Sequence, residues 1–599
     1  MDLNYLDSSD KTELDKAYQN GLKKLLKVLY SMPDFCLSIS IPGIVMEYYS
    51  EKFPEALELL KELSDRSQIE ILGGGFFVPI LPLLLPSDRS GQIEKMTSFL
   101  RGTIGKRPRG ISLFSNVWDN SLIQPLKACG FDYLFLDDSL VQASDSVYPL
   151  IASEYGKNIK VLVTHPALAP SQDETFASWK ERAAAFEKKS AGSHEALTCI
   201  SLDMDGALRL SEKKFISELF SAEEKIRVLL PMQYLKTCCS YERAFIPSGM
   251  KKIASGKKSY SSVHDYLFAN PPSLHLYERM IYINMLISQS HGKDKMRKKA
   301  AQENLWEAQC GNFLISSSDE KSAGAKRRQS AYKLLNEAEK CLHESGQFLD
   351  ALTSFDYNSD GFNEYVFQTE NFNAVISQSG GKISDLNMLS NGANYTDASF
   401  SMPCSGMMVE GLSEKEPEKA SLADGSLSWA DVLFSEKKFD AKRKDVFLES
   451  ESVFSQLKMP VSLEKKISMS PSGFIVQYIL KNLSPFQLKG YFSVSASISQ
   501  TDFVKKENQY ELELIQDGSR IKPQKEKLCM KKGVSMLQIT DKSGKMTMLF
   551  EPNEDAGFIA ENENRAETIK FYWPVDLASG RAMEKRVTFM LIPFKKNRQ

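Results

Sequence analysis

Residues Gly110–Asp138 read GISLFSNVWDNSLIQPLKACGFDYLFLDD. Gly110–Phe114 is an apolar run of strand length. A polar turn follows, then Ser121–Cys129 with helical spacing, then a second apolar run, Tyr133–Leu136, that ends on Asp137-Asp138. Strand, turn, helix and strand make one βαβ unit, which places the two strands parallel in one sheet. In an α/β barrel, chemistry sits where strands end and loops begin. Here that point reads Phe114-Ser115-Asn116-Val117-Trp118, with no Glu or Asp where a catalytic carboxylate is expected.

The same alternation extends in both directions. Asp15–Ser31 reads as an amphipathic helix, Phe35–Ile41 as a buried strand, Lys52–Ser64 as a helix and Gln68–Leu72 as a strand before Gly73-Gly74-Gly75. Arg89–Ile104 is the helix leading into Gly110–Phe114. Lys160–Thr164 and Leu197–Leu202 are two further strands around the helix Phe176–Lys189. This pattern predicts a parallel sheet, open or closed into a barrel. Residues 273–309 and 321–346 carry helical spacing and read as a small bundle. From about Phe348 the period becomes two, as in Glu364–Gln368, Ala374–Gln378, Phe474–Lys481, Gly490–Ile498 and Val587–Phe594, which predicts an antiparallel β-sandwich. Residues 411–424 are polar and read as a loop. The expected division is therefore 1–268 barrel, 269–347 helical region and 348–599 sandwich.

A chain of 599 residues exceeds one compact domain. Its net charge of −2 gives no pull toward nucleic acid or an anionic membrane. The basic runs Lys295–Lys299 and Lys326–Arg328 read as solvated helix faces rather than a binding patch. The acidic, polar N-terminus does not read as a secretory signal, and no apolar run approaches the ~18 residues of a membrane span. Nine cysteines form no CxxC pair and read as reduced thiols of a cytoplasmic protein.

Several segments together resemble glycoside hydrolase family 57, in its 4-α-glucanotransferase and α-amylase branch. Ser67–Ile71 is similar to the family's GQLEI motif and is followed by the Gly75-Phe76-Phe77-Val78-Pro79 turn. Leu113–Trp118 falls at the TERVW-type nucleophile motif. Leu202–Gly206 resembles the acid/base DDGE motif, Asn270–Met280 the PESNxxHKRM segment, and Ala308–Asn312 the AQCND segment. Asp360-Gly361 before Asn363-Glu364, with Gly380–Leu386, resembles the C-terminal sandwich. The resemblance runs from about residue 17 to the C-terminus. It implies a (β/α)7-type barrel, then helices, then a β-sandwich, acting on α-glucans or maltooligosaccharides without a cofactor.

A retaining glycosidase needs two carboxyl groups about 5 Å apart, one of them a nucleophile. Alignment on Val117-Trp118 puts Ser115 at the family's nucleophile Glu and Asn116 at its Arg. A serine needs a base to act in that place. Asp205 matches the acid/base Asp, and reads equally as a turn residue before Gly206. The Glu that follows in the family is Ala207 here. Glu70, Trp118, Asp137 and Asp138 are the substrate-contact candidates. Glu70 reads first as a partnered barrel-mouth residue, and Trp118 equally as core. The family's first-strand His-Gln-Pro would lie before Met1, and His165, His194, His264, His275, His291 and His343 all lie elsewhere. A start upstream of Met1 would restore that strand and its His, but not the Glu.

The expectation is a family member impaired in catalysis that binds or scaffolds glucan. The alternatives are an active transferase or amylase-like enzyme using Asp119 or Asp137 with Asp205, and a deacetylase-like or lectin-like barrel. Deacetylation would require a His/Asp metal cluster, and none is found; a bound metal in the sandwich is left open, with no ligand set standing out. Self-association is left open.

Overall fold

The computed structural model describes residues 11–594, apart from 142–147, 172–173, 188–196, 211–214, 216–217, 221–226, 252, 256–257, 291–293, 316–320, 344–347, 398–405, 421–425, 456, 502–509, 524–527 and 564–565. The chain divides into two compact units. The first is Met1–Ala269 with Gln309–Asp319, and the second is Asn270–Ala308 with Glu320–Gln599.

The first unit is the α/β barrel. Leu37–Ile39 pairs parallel with Ile69–Ile71. A bridge from Gly73 to Ile111 carries the array to Gly110–Ile111. Gly110–Ile111 pairs parallel with Tyr133–Asp137, which pairs parallel with Lys157–Thr164. A last parallel bridge joins Thr164 to Cys199. Further along, the Cys36 thiol donates to the Val228 carbonyl at 3.4 Å, and the Met232 amide donates to Glu70 Oε2 at 3.3 Å. These two contacts bring Val228 and Met232 against the first two strands. Strands buried on both faces read as unbroken apolar runs, which is why these were legible. Leu197–Leu202 keeps only the Cys199 bridge as sheet.

Several elements were not read from the sequence, among them a helix and an inserted strand. Gly43–Lys52 is a helix of its own before Pro54–Asp65. Leu150–Glu154 is a strand antiparallel to Lys157–Thr164, inserted in the connection after Tyr133–Asp137.

The opening stretch lies at the centre of this unit. Ile111, Leu113, Leu122, Leu126, Leu134 and Leu136 are buried in one cluster with Val161 and Ile246. Each such side chain contributes about 1.5–3 kcal/mol through burial. Gly110 sits directly opposite Tyr133, and a Cβ there would lie 2.2 Å from the Tyr133 ring. Tyr133 is fully buried and cannot swing aside. Gly110→Ala is expected to lower stability by about 1–3 kcal/mol through overpacking. Urea denaturation monitored by circular dichroism checks this, and an unchanged midpoint would refute the packing argument.

The second unit combines three helices, Pro271–Gln289, Lys295–Ala308 and Lys321–Leu342, with an antiparallel sandwich. The strands Ala351–Phe355, Glu364–Gln368, Phe372–Ile376 and Ile383–Met388 form a meander. Met407–Ser413 pairs with Leu488–Ser499, which pairs with Ala566–Leu577. The other layer runs through Asp445–Phe454, Met459–Ser470, Gly473–Asn482, Ala582–Pro593 and Met546–Pro552. Leu528–Asp541 joins the layers: its first half pairs with Ala556–Glu563 and its second with Met546–Pro552, across a register shift. Alternate inward residues build the core around Trp429, Phe492, Phe550, Trp573 and Phe589.

Two readings are corrected. Residues 411–413 are not loop: Gly411-Leu412-Ser413 is buried strand paired to Ser493, Phe492 and Tyr491. Few apolar side chains are needed there, because the ladder itself satisfies the backbone. Arg328 does not lie on a solvated face. It is buried, and its Nε donates to Asp397 Oδ1 at 2.9 Å and Oδ2 at 3.1 Å.

Candidate functional site

The C-terminal ends of the first three strands enclose a small cleft. Ser40 and Ile41, Gly73 to Gly75, Val78, Pro79 and Ser112 to Ser115 line it. Its volume is about 50 Å³, well below the roughly 300–1,000 Å³ of ordinary ligand pockets. The Gln309–Leu314 segment is packed behind it. Gln309 Nε2 donates to Asp88 Oδ2 at 2.6 Å and its Oε1 accepts from Gln92 at 2.9 Å. The Gly311 amide donates to the Val78 carbonyl at 3.1 Å. The Gln-Cys motif therefore fixes the Gly75–Pro79 turn.

Ser115 sits at the rim of this cleft, in the turn Phe114–Asn116. Its backbone is left-handed, with φ 47° and ψ 28°, and Asn116 follows at φ 52°. Two successive non-glycine residues in that region carry roughly 1 kcal/mol or more of strain each, which the surrounding fold must hold in place. The Ser115 carbonyl accepts the Lys251 amide at 3.2 Å. The Lys251 ammonium in turn stands 3.5 Å from Asp137 Oδ2. Lys251 thus joins the Ser115 turn through its backbone and the end of the neighbouring strand through its ammonium.

Asp137 is buried and caps the following turn. Its Oδ1 accepts the Ser139 amide at 3.1 Å and the Ser139 hydroxyl at 2.6 Å. Asp138 Oδ2 lies 3.0 Å from His165 Nδ1, and His165 is 2% exposed. The two side chains meet at the ends of neighbouring strands, where an imidazole–carboxylate pair can hold or pass a proton. The sequence did not suggest this pair, because 27 residues separate its members.

Asp119 is held by the Ser121 amide at 2.8 Å and the Ser248 hydroxyl at 2.7 Å. Burial raises its carboxyl, but the hydrogen bonds from Ser121 and Ser248 and the field of Arg89 outweigh it and leave it below the usual range. Asp119 therefore stays ionised and committed to its cap.

Asp205 is exposed in the first turn of the helix Met204–Leu210. The capping residue is Asp203, whose Oδ1 accepts the Gly206 amide at 2.7 Å. Of the two readings open for the Asp-Gly pair, the local geometry is a helix start with Asp205 facing solvent.

Glu70 lies inside the barrel near the strand starts, beside Tyr133, rather than at the mouth with Asp137. Burial raises its carboxyl, opposed by the Tyr133 hydroxyl and the Met232 amide. Glu70 Oε1 and the Tyr133 hydroxyl find no well-aligned partner. Glu70 is thus a partnered side chain, three residues before Gly73 on the strand Ile69–Ile71.

For Trp118, of the two readings left open, burial favours the core. It is 1% exposed, and its indole N–H donates to the Ile246 carbonyl at 3.2 Å. Its backbone is bridged in both directions to Gly249. It anchors the loop and offers no face to a sugar.

The first unit is an α/β barrel with polar groups at its strand ends, and the second combines helices with an antiparallel sandwich. Residues 2–236 match Glycosyl hydrolase family 57. It is 31% identical over 126 residues to alpha-amylase 1 of Dictyoglomus thermophilum, over 21% of this chain and 18% of that protein. It is 22% identical over 428 residues to the 4-alpha-glucanotransferase of Thermococcus kodakarensis, over 64% of this chain and 63% of that one. The 4-alpha-glucanotransferase of Thermococcus litoralis is 20% identical over 83% of this chain and 86% of its own. Its crystal structure superposes with a TM-score of 0.74 at 17% identity, covering 97% of each chain. The chain thus spans less than two thirds of the first two relatives, and the likeness of structure carries the fold. Among the described residues no helix is long and apolar enough to cross a membrane.

Proposed function

We propose that this protein binds α-glucan chains without performing the retaining glycosidase reaction. The observation that carries the reading is the strand end Phe114–Asn116, which presents a serine in a left-handed turn beside Lys251 and no carboxylate. The covalent route needs a carboxylate there to attack the anomeric carbon. The neighbouring carboxylates are engaged elsewhere: Asp119 caps a turn, and Asp137 caps another while facing Lys251. Asp205 remains as an exposed acid without an opposing nucleophile. The relatives' activities, α-amylase and 4-α-glucanotransferase, suggest maltooligosaccharides as the ligand class. The eight described cysteines are all free thiols, which suits a cytoplasmic setting.

Incubation of the purified full chain with maltoheptaose tests this. The chain-length distribution is expected to stay constant while calorimetry records saturable binding. Release or transfer of glucose units that disappears in Asp205→Asn would overturn the loss of catalysis. Constant chain lengths with no binding heat would overturn the glucan assignment.

A further inference from the structure

The loop between strands Ala351–Phe355 and Glu364–Gln368 reads Asp356-Tyr357-Asn358-Ser359-Asp360-Gly361-Phe362-Asn363-Glu364. Oxygen-bearing side chains stand at its first, third and fifth positions and a glycine at the sixth. That is the D-x-N-x-D-G spacing with which short loops wrap a hard cation. Carboxylate oxygens of Asp356, Asp360 and Glu364 lie within 4.8 Å of one another. The Asp360 and Gly361 amides each donate to Asp356 at 3.1 Å, and the Phe362 amide donates to Asp360 Oδ1 at 2.8 Å. Gly361 permits the turn with φ +91°.

A separate observation points to a ligand. Glu364 is 2% exposed, and only its Oε2 is satisfied, by the Tyr357 amide at 3.0 Å. Its Oε1 is buried and meets no donor. A buried carboxylate oxygen left bare is costly, and two further carboxylates facing it add repulsion. A divalent cation would reverse each of these penalties at once.

We propose that Asp356, Asn358, Asp360 and Glu364 bind a calcium ion. The donors are all oxygens, which favours a hard cation over zinc or copper. The two exposed aspartates leave room for water ligands, and a flexible loop of this kind suits calcium better than the strict octahedron of magnesium. The loop also carries Tyr357, whose ring lies 5.3 Å from Tyr282 of the helix Pro271–Gln289. Calcium would therefore set the hairpin that joins the helices of this unit to its first strands. The sequence held the spacing, but the segment had been taken only for its likeness to the family's sandwich.

The test uses the full chain stripped with chelator and titrated with calcium alone. Calorimetry is expected to give one site per chain with a Kd of about 10⁻³ M or tighter. Magnesium should bind at least roughly tenfold more weakly, and the melting temperature should climb with calcium concentration. Asp356→Asn/Asp360→Asn should abolish both responses while melting like the chelated wild type. If that variant does not fold, the isosteric Glu364→Gln is read in the same titration and should weaken binding. No saturable heat into the millimolar range, equal affinity for magnesium, or an unchanged isotherm in the variant that folds would overturn the assignment.

Discussion

Glu339→Gln is expected to destabilise the second unit by about 3–5 kcal/mol, a large share of a typical domain's stability. Arg279 and Glu339 form an ion pair in which both side chains are fully buried. Arg279 also donates to Asn336 Oδ1 at 3.0 Å, and Glu339 Oε1 accepts from Gln368 at 3.1 Å and Asn373 at 3.3 Å. Three elements are tied together here: the helix Pro271–Gln289, the helix Lys321–Leu342 and the first strands of the sandwich. Removing the carboxylate charge leaves a guanidinium in an interior that cannot solvate it. Arg279 Nε and Nη1 already lack partners, so no local rearrangement compensates. The measurement is chemical denaturation of wild type, Glu339→Gln, Arg279→Met and the double variant. The double variant should recover part of the loss, because it removes both charges, yet not all of it, because Asn336 Oδ1 loses the Arg279 donor and a methionine supplies none. A single-variant loss below about 1 kcal/mol, or no coupling in the cycle, would show that the pair is not a determinant of this unit.

Arg279 also illustrates what the sequence could and could not tell. It lies in the Asn270–Met280 segment, one of those that carried the family resemblance. The motif was legible as a string, but its physical role as a buried charge needed its partner 60 residues on. The parallel strands were legible because burial on both faces leaves an unbroken apolar run. The helix Gly43–Lys52 was not, because its buried residues Gly43, Val45, Met46 and Tyr49 follow no clean apolar stripe. Within the site, Ser115 was found by alignment to a position, and its left-handed backbone is not visible in a sequence. The caps at Asp119 and Asp137 were readable in principle from Asp-x-Ser spacing, since a carboxylate two residues before a serine amide closes such a turn. Trp118 was ambiguous because composition cannot distinguish an indole that faces sugar from one that anchors a loop. The Asp138–His165 contact joins the ends of two strands and exists only once the sheet is assembled.

The second unit is expected to be most stable in mildly acidic solution and to weaken as pH rises from about 5 toward 7. Asp397 and Glu410 determine this. Burial raises the Asp397 carboxyl to about 6 despite the Arg328 guanidinium. Burial likewise raises Glu410 to about 7, although the Lys465 ammonium stands 2.7 Å away. Lys465 donates to the Met408 carbonyl, and Glu410 finds no aligned donor, so the lysine offsets the burial only in part. Both folded-state values lie above those of the unfolded chain, so the folded protein holds protons that the unfolded chain has released. Their contribution is complete below the unfolded values near 4 and declines as pH rises through 6 and 7, by on the order of 3 kcal/mol for each group. Lys465 is shifted down by the same burial, and its own contribution has the opposite slope. Glu339 has the other sign: burial opposes its ionisation, but Arg279 and His343 outweigh it and hold the carboxyl low. Its contribution is present above about 4.5 and lost as pH falls, which closes the window on the acid side. Denaturation midpoints from pH 4 to 8 should therefore peak near pH 5, and Glu410→Gln should flatten the descent toward pH 7. A midpoint that rises from 5 to 7, or a Glu410→Gln profile parallel to wild type, would show that the buried Glu410–Lys465 pair stays fully ionised in the folded core.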